Sequence, residues 1–125
     1  WSVDWKFTLA DTGNGCSCST FSTTTKIVTT LPRWTPPTNV FPEVKEQWTR
    51  YFTNLAMHEA GHARIGIPAA TEVGRSISQS GAHPTCEQLT QTINERASRI
   101  VENYRAREKE YDRITAHGTR PPDSP

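Results

Sequence analysis

Apolar residues are scarce in this chain, 34% of 125 positions, and no run of them approaches the length of a membrane span. The length suits one domain, but so thin a core leaves folding dependent on an added tie such as a metal or a disulfide. Charge of one sign is lacking as well. The formal net charge is +1, acidic and basic residues are interleaved, and no basic tract points to nucleic acid. There is no initiating methionine. The chain opens on Trp1, which predicts a processed or trimmed product that has already lost any signal peptide. Cysteines number only three, Cys16, Cys18 and Cys86. Cys16 and Cys18 are too close to bridge each other comfortably, so one is expected to pair with Cys86 and leave a thiol over, in an oxidising compartment. Three free thiols, or a C-x-C metal pair, are the alternatives.

Against this sparse background stands Met57-His58-Glu59-Ala60-Gly61-His62, an H-E-x-x-H motif. On a helix, residues four apart share a face, so the two imidazoles can converge on one Zn²⁺ and leave room for a third protein ligand and a water. The adjoining Glu59 carboxylate is then placed to act as general base. The bland alternative is a buried histidine pair held by ordinary hydrogen bonds.

A helix is expected here. Pro42 and Glu43 suit a first turn, and Val44, Trp48, Tyr51, Leu55, His58, His62 and Ile65 recur every three or four residues. Gly66 and Pro68 are expected to end or kink it, with a further helical segment over 69–78. Upstream, Trp1, Val3, Trp5, Phe7 and Leu9 alternate with polar residues, which predicts a half-buried strand. Asp11-Thr12-Gly13-Asn14-Gly15 is a turn signal, and the Thr-rich stretch from Cys16 to Leu31 suits a second, long strand. One edge of that hairpin could pair with an extended peptide beside the metal helix; a purely structural sheet fits equally well. The prolines of Leu31-Pro32-Arg33-Trp34-Thr35-Pro36-Pro37 make a stiff connector, with Trp34 expected to pack over the core. His83 lies in a loop before Pro84 and is expected to be exposed.

From Thr85, a reasonable N-cap, a second helix carries the inner stripe Leu89, Ile93, Ala97, Ile100, Tyr104, Tyr111 and Thr115, and Gly118 supplies its stop. The fold class expected is therefore α+β: an antiparallel hairpin packed on two long antiparallel helices, a minimal zincin-like metallopeptidase arrangement. Residues 1–118 form its single domain and 119–125 a flexible tail. The end of the second helix would reach a metal held by the first, and three residues there could supply the missing ligand: Glu108, Asp112 and His117. The metzincin pattern does not apply, because the position of its third histidine is Pro68.

Leu31-Pro32-Arg33-Trp34, His58-Glu59-x-x-His62 and Tyr111-Asp112-x-x-Thr115-x-His117-Gly118 together resemble the signature of a bacterial family of unknown function described as secreted zinc-dependent proteases. The likeness runs from the Thr-rich strand to Gly118, and its three-part motif is more specific than H-E-x-x-H alone. It matches Cys86 and an N-terminal cysteine to the family's usual pair; the extra N-terminal cysteine and Pro68 depart from the pattern. The resemblance implies His117 as the third ligand, with Asp112 fixing an imidazole and the Tyr111 hydroxyl serving a developing oxyanion. The function then expected is that of a secreted or periplasmic zinc peptidase acting on a peptide or protein substrate, with Zn²⁺ on His58, His62 and His117. A zinc hydrolase of a cell-wall or other non-protein amide is one alternative. A non-catalytic zinc-stabilised domain closed by Cys16 or Cys18 is another.

Overall fold

The computed structural model describes residues 1–118, and of His117 only the backbone. Strand β1 (Ser2–Asp11) and strand β2 (Cys16–Lys26) form a two-stranded antiparallel sheet, followed by helix α1 (Pro42–Ser78), helix α2 (Cys86–Ile114) and a 3₁₀ turn (Ala116–Gly118). The architecture is the α+β hairpin on two helices that the residue pattern predicts. The proposed tail, 119–125, lies outside the described residues.

The odd residues of β1 turn inward as their alternation predicts, with Val3 buried and Trp1, Trp5, Phe7 and Leu9 half-buried. At the turn, Asp11 accepts from the Gly13 amide and Gly13 adopts φ +81°, a conformation glycine reaches without strain. In β2 the register slips opposite Thr8/Leu9, so that Thr8 faces Thr20 while Leu9 faces Cys18. The extra residue, Ser19, changes the parity of the strand: Cys16 and Cys18 point inward before the bulge, and Thr23 and Thr25 after it. The strand ends at Lys26 and not at the expected Leu31, because Lys26 pairs with Ser2 at the start of β1 and nothing remains for the next residues to pair with.

Helix α1 does not end at Gly66 or Pro68, the first of the two outcomes expected there; it continues through both to Ser78. A proline inside a helix costs about 3 kcal/mol, chiefly through the lost bond to the carbonyl four residues back. Both Pro68 and Arg64 are exposed, which lets water serve that carbonyl, and the buried run Ala69, Ala70, Val73, Gly74 and Ile77 holds the following turns against the sheet. Gly74 passes close under the Phe21 ring. The first half of α1 is less covered than its stripe suggests. Val44 is 42% and Tyr51 55% exposed, and Trp34 packs on Trp48 there, 5.4 Å between rings, instead of over the core.

Thr85 caps α2, its hydroxyl accepting from the Gln88 amide. Leu89, Ile93, Ala97 and Tyr104 bury the inner face, and the Tyr104 hydroxyl donates to Glu72 of α1. His83 is half-buried rather than exposed, since its amide and carbonyl bond to those of Cys16. That bridge carries Cys16 to the start of α2, where it forms a disulfide with Cys86 and leaves Cys18 as the free thiol. The core thus gathers where the sheet crosses the second half of α1 and the first half of α2. No helix among the described residues is long and apolar enough to cross a membrane.

Closing a loop across 70 residues removes unfolded-state entropy worth about 4 kcal/mol. Cys86→Ser should therefore lower unfolding free energy by 2 to 5 kcal/mol, roughly, in denaturant titrations. Denatured, unreduced protein should titrate with one thiol and reduced protein with three.

Candidate metal centre

His58 and His62 lie one turn apart on α1, at the point where the end of α2 crosses it. His58 is buried to 4% exposure and His62 is half-buried, their rings edge to face with centroids 4.6 Å apart. Glycine at position 61 is what lets α2 come this close. A Cβ there would overlap the Tyr111 phenol, which lies parallel to the His58 ring at 5.0 Å and donates its hydroxyl to the His58 carbonyl at 3.0 Å. On the other side Gly118, at φ +92°, packs against the His58 imidazole where a Cβ would stand only 3.2 Å from the ring.

Two hydrogen bonds fix how each imidazole presents itself. The Thr115 hydroxyl donates to the Tyr111 carbonyl at 2.7 Å, so its 3.2 Å contact with His58 Nδ1 is one in which the ring N–H donates. His62 Nδ1 lies 2.9 Å from Glu108 Oε1 and donates to that carboxylate. With Nδ1 of each ring engaged as a donor, Nε2 is the nitrogen each can turn to an ion. These two Nε2 atoms are 3.0 Å apart, and Asp112 Oδ1 lies 3.0 Å from the first and 2.8 Å from the second. Three electron-rich atoms thus face one another. A proton on one ring satisfies part of that triangle, whereas a divalent cation satisfies all of it. His58, His62 and Asp112 are the described group whose ligand atoms lie close enough together to hold such an ion. Ligands about 2.0–2.1 Å from a tetrahedral ion stand roughly 3.4 Å apart, so the triangle would need to open by only a few tenths of an ångström. The donor set fits.

Glu59 lines a cleft opening beside this triangle, together with His62, Ala63 and Glu108. Among the described residues its carboxylate has no hydrogen-bond or ion-pair partner. Glu108 is held from behind as well, its Oε2 accepting from Arg105 at 3.0 Å.

Geometry separates two of the three candidates for the third ligand. Asp112 stands on the Nε2 side of both rings, and Glu108 on the Nδ1 side of His62. The side chain of His117 lies outside the described residues. Tyr111 is brought to the site, with its hydroxyl directed at the main chain of His58. The cysteines are not brought there: Cys16 is in the disulfide at the far end of α2, and Cys18 donates to the Thr20 carbonyl within β2. Thr115, Gly61 and Gly118 are site residues that no local pattern marks as such, although Thr115 and Gly118 fall within the motif that carries the family resemblance.

Residues 1–118 match the family described as "Bacterial protein of unknown function (DUF922)". The chain belongs to that family. No curated protein and no solved structure matches this DUF922 chain.

Glu108→Gln and Thr115→Val should each weaken Zn²⁺ binding by about 10–100-fold in competition titrations, since each alters a hydrogen bond that orients an imidazole, together with the same side chain's contact to Arg105 or to the Tyr111 carbonyl. Asp112→Ala should abolish stoichiometric binding. Gly61→Ala should destabilise the fold by 1 to 3 kcal/mol, roughly, because the Tyr111 ring must be displaced to admit the methyl group.

Proposed function

We propose that this DUF922 protein is a zinc peptidase of a secreted or periplasmic kind, with His58, His62 and Asp112 holding Zn²⁺ and Glu59 acting as general base. The observation that carries the proposal is the convergence of two Nε2 lone pairs and one carboxylate oxygen beside a cleft that Glu59 lines. When bound, the ion supplies Lewis acidity, making water more acidic and a carbonyl carbon more electrophilic.

The remaining roles fall to the chain itself. The Glu59 carboxylate accepts the proton of the attacking water and returns it to the amine that leaves, so one amide is exchanged for an acid and an amine. Glu108 and Thr115 keep both imidazoles in the tautomer that leaves Nε2 unprotonated. Tyr111 is a positioning residue in this account: its hydroxyl and ring hold His58 from the backbone side. The disulfide and the lack of a membrane-crossing helix among the described residues are compatible with an oxidising compartment outside the cytoplasm.

Glu59→Gln should retain about one zinc per chain and the parent melting temperature while lowering kcat on peptide substrates by about 10²–10⁴-fold. Mass spectrometry of a digested peptide library, with metal analysis of the same samples, provides the measurement. Hydrolysis that persists in the glutamine variant would remove Glu59 from the mechanism.

A further inference from the structure

The cleft beside Glu59 and His62 encloses about 150 Å³ and has two unlike walls. Glu59, His62 and Glu108 form one. Trp1, Ile27, Val28, Thr29 and Ala63 form the other, apolar but for Thr29. Trp1 is a fixed part of it: the indole lies directly on the α1 backbone at Gly66, where any Cβ would overlap the ring. The Arg105 guanidinium stacks on the same indole, 3.8 Å from the ring centroid, and also donates to the Trp1 carbonyl. Ile27 and Val28 come from the extended segment that follows β2 and are 41% and 69% exposed.

Charge and size limit what this space can accept. Glu108 already receives His62 Nδ1 on one oxygen and Arg105 on the other, and the Arg105 cation stands behind Trp1. A lysine or arginine side chain entering here would pair with Glu59 and so engage the carboxylate that must take the proton from water, and would also meet the like charge of Arg105; an acidic one would meet Glu59 and Glu108. A half-open cleft of this volume limits an entering group to about the size of one phenyl ring. We propose that it is a specificity pocket taking an uncharged aliphatic or phenyl side chain next to the amide that is cut, an inference that rests on the peptidase function proposed above. Trp1 and Ala63 set its depth, and Ile27 and Val28 its outer rim.

The test uses end-blocked peptides identical except for one residue, Leu, Phe, Ala, Trp, Lys or Glu. Their binding to the zinc-loaded Glu59→Gln variant is measured by calorimetry and their cleavage by the zinc-loaded parent. Leu and Phe should bind at least about tenfold tighter than the other four, and be cut at an amide of that residue. Ala63→Leu should fill the pocket and erase the advantage without changing zinc content. If that variant misfolds, Ile27→Ala/Val28→Ala, on exposed extended chain outside the core, should instead admit Trp. Selective binding with no cleavage would leave the pocket standing and remove the peptidase. Cleavage with no preference, or a preference that neither pocket variant alters, would overturn the pocket and leave the peptidase. Neither binding nor cleavage of any peptide would overturn both.

Discussion

Two imidazole Nε2 atoms and a carboxylate oxygen stand 2.8–3.0 Å from one another, an arrangement that needs a proton or a cation among them. That constraint runs outward through the protein. It requires Nδ1 of each ring to be the protonated nitrogen, which Thr115 and Glu108 arrange from behind. It requires α2 to approach α1 within the width of a phenol ring, which Gly61 permits. It requires a lateral support for the acceptor on His62, and Arg105 provides one by joining Glu108 to Trp1 at the start of β1. The start of the first strand, the middle of α1, the end of α2 and the 3₁₀ turn therefore all meet around the same few atoms, although the main core lies elsewhere.

That separation suits a chain with little apolar material. The buried residues are mostly small, Ala69, Ala70, Val73 and Ala97 among them, and an isolated two-stranded sheet has little stability in water. Packing both helices against the hairpin, and tying β2 to α2 through Cys16 and Cys86, concentrates the available burial at one end. The other end is left polar, and polar groups in close quarters are what a reactive centre needs.

Much of the framework could be read from local periodicity. The alternation of Trp1 to Leu9, the Thr85 cap and the stripe of Leu89 to Thr115 each depend on neighbours in the chain, and the structure follows them. What the residues do not reveal locally is set by partners distant in sequence. The strand stops at Lys26 because β1 begins where it does, and the helix passes through Pro68 because the next turns are buried. Glu108 and Asp112 share a helix face one turn apart, so only the register between α1 and α2 decides which meets Nδ1 and which meets Nε2. Gly61 and Gly118 read simply as small residues until the ring each one accommodates is known.

Helix α2 is gripped at its two ends by different chemistry. Cys86 opens it, and Asp112 lies in its last turns, 26 residues and about 39 Å away. The covalent clasp can shut as soon as the chain meets an oxidant, before any ion arrives. The histidines would then wait in a scaffold already assembled, so that loading and unloading the centre need disturb only the final turns of one helix. On the zinc reading proposed above, such a protein could take up and release the ion while the rest of the molecule keeps its shape.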